Sequence, residues 1–214
     1  ITAKDVRCIC LDNGVLCSRR HINIRGKSAD LPSITDKDWQ DINFGMENHV
    51  DFIALSFVRS ASAIEELQRY LQEKKIPIDI LAKIESAEAI PHLDEIINVT
   101  DGIMIARGDL GAELPYEEVP LLQDEIIRKC RAAGKPVVVA THMLESMIVN
   151  PTPTRAEVTD ICHAVLQGTD ALMLSGETAT GKHPCKAVET MDAVARRIEK
   201  QMALDTTVRV KASN

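Results

Sequence analysis

Five apolar runs recur along this chain at intervals of about 23 to 35 residues: 51–57 (DFIALSF), 78–84 (IDILAKI), 102–106 (GIMIA), 136–141 (PVVVAT) and 170–175 (DALMLS). Each has the length and β-branched content of a buried strand, and none alternates cleanly with polar residues. Between them lie stretches with helical periodicity. Thr35 is placed to cap a helix over 36–47, and Ser60 to cap one over 61–73 whose face is Ile64, Leu67 and Leu71. Residues 117–133 put Val119, Leu122, Ile126, Ile127 and Cys130 on one face, and Gly134-Lys135-Pro136 stops them. Thr154 opens 155–167, which Gly168 ends, and Pro184 opens 185–203.

Repeated strand–helix units of this kind imply an α/β fold with a parallel sheet covered by helices. An open doubly wound sheet and a (β/α)8 TIM-type barrel both fit that description. No glycine-rich turn follows the first run, which argues against the dinucleotide-binding form of the open sheet. Every run ends in polar or charged residues: Ser56 and Arg59, Lys83 and Glu85, Arg107 and Asp109, Thr141, then Ser175 and Glu177. Chemistry gathered at the C-terminal strand ends is the barrel pattern. The expectation is therefore a (β/α)8 barrel of which about five βα units are present.

Residues 1–28 read differently. Asp5 to Cys10 suggests a short strand, Asn13-Gly14 a hairpin turn and Val15 to Ile24 a returning strand. This is antiparallel material from another domain, joined by the linker 31–35. The net charge of −7 and the absence of any Lys/Arg run longer than two argue against nucleic acid and anionic membranes as partners. No apolar stretch approaches the roughly 18 residues of a spanning helix. The N-terminus lacks a signal-peptide pattern. The six cysteines have no scaffold-like spacing and read as reduced intracellular thiols.

Lys83 and Glu85 are two residues apart on one strand, so they leave the same face together. A cation and a carboxylate emerging from a buried strand are costly unless paired, hydrated or bound. Asp109 ends the next run. Two carboxylates on neighbouring strand ends suit Mg2+, which takes one or two carboxylates plus water and substrate oxygens. Gly108 lets backbone approach a ligand closely, and the turn over 108–111 offers amides to an anion. Lys83 supplies a point charge to a developing enolate or a transferring phosphoryl group. Taken singly, each of these residues is more often a salt bridge or a solvated rim; their joint placement points to a site.

Several segments resemble pyruvate kinase: AKIES at 82–86, MIARGDLGAELP at 104–115, VVVATHMLESM at 137–147, PTPTRAE at 151–157 and ALMLSGETATGKHP at 171–184, with LPSITDKDW at 31–39. The resemblance runs from about residue 5 to 204 and looks plant-type. It implies that 1–28 is the end of an inserted β lid domain, 29–204 the second part of the catalytic barrel, and 205–214 a tail. It further implies that Lys83 stabilises phosphoryl transfer and the enolate, that Glu85 and Asp109 ligate Mg2+ or Mn2+, and that Ala106, Arg107, Gly108 and Asp109 surround the substrate carboxylate. Thr141 then contacts substrate and helps protonate the enolate, with Ser175 in the proton path. His142 stands where the family usually has Asn or Gln, which bears on hydrogen bonding at that strand end.

The implied reaction is the glycolytic transfer of phosphate from phosphoenolpyruvate to ADP, giving pyruvate and ATP. The implied K+ ligands and most nucleotide contacts belong to early barrel strands outside this chain. A homo-oligomer, tetrameric in the family, and a cytoplasmic location, or the plastid stroma for the plant type, are likewise implied. Two other readings stay open at the level of sequence: a different metal-dependent barrel lyase handling pyruvate or phosphoenolpyruvate, and a non-catalytic segment acting through a partner. Cys8, Cys10, Cys17 and His21 match no common zinc spacing. Five strands cannot close an eight-stranded barrel, so the isolated chain is expected to aggregate, pair or depend on a partner.

Overall fold

The computed structural model describes residues 7–15 and 32–212, with side chains as far as 204. Its elements in chain order are α1 (Asp36–Glu47), β1 (Phe52–Leu55), α2 (Ala61–Lys74), β2 (Asp79–Ile84), α3 (Leu93–Val99), β3 (Gly102–Ala106), α4 (Arg107–Glu113), α5 (Glu118–Ala133), β4 (Val137–Ala140), α6 (Arg155–Gln167), β5 (Ala171–Met173), α7 (Gly176–Ala179) and α8 (Pro184–Ala212). Each apolar run thus contains a strand. The last helix passes the end expected at 203. Residues 7–15 carry no strand and are exposed, so the first arm of the expected hairpin is absent over 7–10; its remainder, with Cys17 and His21, lies outside the described residues.

The sheet is wholly parallel and its strands follow in the order β1-β2-β3-β4-β5. An open doubly wound sheet reverses strand order at a switch point. Strictly sequential order is instead the wall of a barrel. The helices form one layer, α2 against α3, α3 against α5, α5 against α6 and α6 against α8. Beneath them, one parity of the strands fills the core: Leu55, Ile80, Ala82, Ile84, Ile103, Ile105, Val137 and Val139. The opposite parity, including Leu81, Lys83, Met104 and Val138, forms the concave face and stays outside that core cluster. β1 and β5 are unpaired on their outer sides among the described residues.

Local chemistry sets the helix boundaries. Thr35 closes a capping box with Asp38 on α1, and Thr154 closes one with Glu157 on α6. Gly134 and Gly168 end α5 and α6 in the left-handed conformation. Ser60 is the N-cap of α2, but its hydroxyl bonds that of Ser62 at 2.8 Å instead of a backbone amide. Cys130 lies in the core, where burial above all, then the charge of Asp170, pushes its thiol up to about 12, so it is inert at neutral pH.

Glu157 also pins the loop before α6, accepting from the Ser146 amide (2.7 Å) and hydroxyl (2.6 Å) and from the Thr154 amide (2.7 Å) and hydroxyl (2.9 Å). Burial pushes this carboxyl up, but the four hydrogen bonds together outweigh it, and the group titrates below its ordinary 4.5. A lowered folded pKa gives stability that is present above the unfolded value and lost as pH falls through the folded one. A Glu157→Gln variant is therefore expected to show a flatter fall of Tm below pH 5 than the parent, measured by calorimetry. Parallel curves would refute this role.

Candidate active site

The C-terminal ends of β1, β2, β3 and β4 converge on one rim. At the end of β2, the Lys83 ammonium lies 2.7 Å from the Glu85 carboxylate, whose side chain is 2% exposed. Lys83 also donates to the Ser56 hydroxyl at 2.9 Å, and the Phe57 amide donates to the other Glu85 oxygen at 2.7 Å. The couple is thus paired with each other and anchored to the end of the neighbouring strand, which offsets its desolvation. Phe57 itself takes a positive φ of 51°. Positive φ is uncommon for a bulky residue.

Asp109 stands at the next strand end, in the first turn of α4. Its side chain is half-buried and makes no hydrogen bond or ion pair among the described residues. A sheltered carboxylate at the strand end next to that of Glu85 suits a hard divalent cation. Among the described residues no three or more His, Cys, Asp and Glu side chains gather to hold a metal. Mg2+ commonly takes only one or two protein carboxylates, with water and substrate completing its shell. Glu85 and Asp109 are the residues that fit it.

Gly108 and Thr141 are locked together. The Gly108 amide donates to the Thr141 hydroxyl oxygen at 2.7 Å, and that hydroxyl donates to the Ala140 carbonyl at 2.7 Å. A Cβ on residue 108 would lie 3.3 Å from the Thr141 oxygen, so glycine permits the approach. Thr141 and His142 both sit in the left-handed region, at φ 71° and 55°. For a β-branched residue this is a real outlier, with a cost on the order of 1–3 kcal/mol that surrounding contacts must offset. Ala106 is buried and caps α4, whose start leaves the Asp109 amide without an intrahelical acceptor.

The Arg107 side chain is engaged elsewhere. Its guanidinium donates to Asp160 on α6 (2.7 Å), to the Thr141 carbonyl (2.8 Å) and to Gln123 on α5 (3.3 Å). Ser175 caps the short α7, and its amide donates to Glu177 at 2.7 Å. Glu177 is fully buried and also accepts from the Leu144 amide at 3.0 Å, so one carboxylate joins the loops after β4 and β5. Phe57, Asp160 and Glu177 were missed or undervalued as site-building residues. A capping box has a sequence signature; a backbone amide or a partner 53 residues away has none.

Fold and rim together define a segment of a β/α barrel whose charged residues collect at the carboxyl ends of its strands, where barrel enzymes carry their sites. The barrel-domain model of pyruvate kinase matches residues 1–188. The chain is 60% identical over 206 residues to a chloroplastic pyruvate kinase isozyme G from Ricinus communis, covering 96% of this chain and 49% of the relative. It is 62% identical to plastidial pyruvate kinase 2 of Arabidopsis thaliana (92% and 34%) and 51% identical to a pyruvate kinase of Bacillus licheniformis (90% and 33%). This chain belongs to the pyruvate kinase family. It spans about a third to a half of the length of these relatives.

Proposed function

We propose that this chain carries the phosphoenolpyruvate side of a pyruvate kinase site, within an enzyme that transfers phosphate to ADP. The observation that carries the reading is the Lys83–Glu85 pair anchored to the end of β1, with Asp109 at the next strand end, half-buried and without a side-chain partner among the described residues. In the reaction the bond between phosphorus and the enol oxygen breaks, and a terminal ADP oxygen forms the new bond to phosphorus. The electron pair stays on the enolate, which takes a proton at its methylene carbon to give pyruvate. Little covalent chemistry is asked of the protein, so positioning and charge neutralisation dominate.

Glu85 and Asp109 would hold Mg2+ or Mn2+, which would supply Lewis-acid chemistry at the substrate. Lys83 balances the charge that develops on the enol oxygen and the moving phosphoryl group. The Asp109 amide faces the substrate carboxylate, with Ala106 and Gly108 shaping the approach and Arg107 acting through its backbone. Thr141 delivers the proton once its hydroxyl turns from the Ala140 carbonyl, with Ser175 further along that path. A K+ requirement with ligands elsewhere, a tetrameric assembly and a cytoplasmic home follow the resemblance, and a plastid home follows the relatives' names as well.

The partial reaction suited to these residues is enolisation of pyruvate, which needs no nucleotide. In D2O with Mg2+, the chain, once a cooperative melt shows it folded, is expected to exchange the pyruvate methyl protons for deuterium, read by proton NMR, and EDTA to stop it. Failure of Mg2+-dependent exchange would sink the reading. Pyruvate formation that requires both phosphoenolpyruvate and ADP, followed through lactate dehydrogenase, separates a kinase from a lyase on a similar barrel. The open outer edges of β1 and β5 favour the expectation that full turnover needs further strands.

A further inference from the structure

Asp160 lies on α6, in the helix layer behind the strand-end rim, and its side chain is one-third exposed, yet it holds the hub of the rim. We infer that Asp160 is a positioning residue for this site: through Arg107 it keeps Thr141 in its left-handed conformation and, through Thr141, fixes the Gly108 amide. This rests on the function proposed above for the rim, which it deepens.

The chain of contacts is continuous. Asp160 binds one end of the Arg107 fork at 2.7 Å. The other end donates to the Thr141 carbonyl at 2.8 Å. Thr141 is held at φ 71°, a conformation that a β-branched residue leaves unless its backbone is restrained. In that conformation its hydroxyl receives the Gly108 amide at 2.7 Å, one residue before Asp109. The buried Gln123 steadies the same fork at 3.3 Å and is itself fixed by Gln167 of α6 at 2.7 Å. Arg107 is only 11% exposed, so its charge depends on Asp160 for compensation. A planar fork spans two acceptors in fixed geometry, which a lysine cannot copy. Asp160 touches neither the metal ligands nor Thr141 directly in this network, so its effect on the chemistry is one of placement.

The test uses Asp160→Asn, Asp160→Glu and Arg107→Lys in the whole chain. Amide hydrogen exchange at Gly108, referenced to Leu110 in the same helix, reads the placement without any turnover. Asp160→Asn and Arg107→Lys are expected to lower Gly108 protection while Leu110 keeps its own, and Asp160→Glu to restore it in part. Pyruvate deuteration should fall about 10- to 100-fold in Asp160→Asn, the scale of a small misplacement, with Mg2+-dependent oxalate binding unchanged. Unchanged Gly108 protection overturns the inference. So does an equal loss at Gly108 and Leu110 with a lowered Tm, because that marks general loosening. If the parent chain shows no deuteration, the proposed function fails, while Gly108 protection still decides the placement.

Discussion

Replacing Lys83 by Met is expected to reduce Mg2+-dependent deuteration of pyruvate by about 10²–10³-fold, the loss typical of removing one preorganised donor to a developing oxyanion. The same change alters stability in a way that depends on the metal. Lys83 lies 2.7 Å from a Glu85 side chain that is 2% exposed, so its removal leaves a buried carboxylate held, among the described residues, by the Phe57 amide alone. Breaking such a pair costs on the order of 3 kcal/mol, and for a domain this size that is roughly 6–12 °C in Tm. A divalent cation on Glu85 and Asp109 would supply the missing positive charge. The variant should therefore melt well below the parent in EDTA and recover much of the gap when Mg2+ is added. Scanning calorimetry with and without Mg2+ checks this. Retained proton exchange would remove Lys83 from the chemistry. A Tm gap indifferent to Mg2+ would remove the metal from Glu85.

Glu177→Ala is expected to be the most destabilising change away from the metal ligands. This carboxylate is fully buried and takes the amides of Leu144 and Ser175, at 3.0 and 2.7 Å. Each buried amide left without an acceptor costs about 1–3 kcal/mol, and the vacated volume adds to that. The sum, on the order of 4 kcal/mol, corresponds to roughly 8–16 °C in Tm. Glu177→Gln keeps the volume and one acceptor oxygen, so it can satisfy only one amide and should fall between. Denaturant unfolding of the three proteins gives the order directly. A Gln variant as stable as the parent would mean that one of the two hydrogen bonds contributes nothing.

Much of the fold was legible because its signals are local. The apolar runs at 78–84 and 102–106 became β2 and β3 almost residue for residue. Thr35 and Thr154 each close a capping box three residues long, and Gly134 and Gly168 each end a helix at the position their freedom of φ predicts. The side-by-side placement of Lys83 and Glu85 followed from strand alternation alone and holds at 2.7 Å. The early hairpin was less legible. Asn13-Gly14 reads as a turn, but residues 7–15 carry no strand, and the returning arm from 16 onward lies outside the described residues.

The sequence by itself determined that this is a parallel α/β chain with charged and polar residues at the strand ends, because strand period, helix caps and turn residues act within a few positions of one another. Tertiary structure alone decided how those ends are wired. It committed the Arg107 fork to Asp160 and the Thr141 carbonyl, turned Thr141 into a left-handed conformation over Gly108, and spent Glu177 on two backbone amides. The reason is physical. A buried donor or acceptor must find a partner wherever packing puts one, and that partner is chosen by proximity in space, across tens of residues that carry no mark of it.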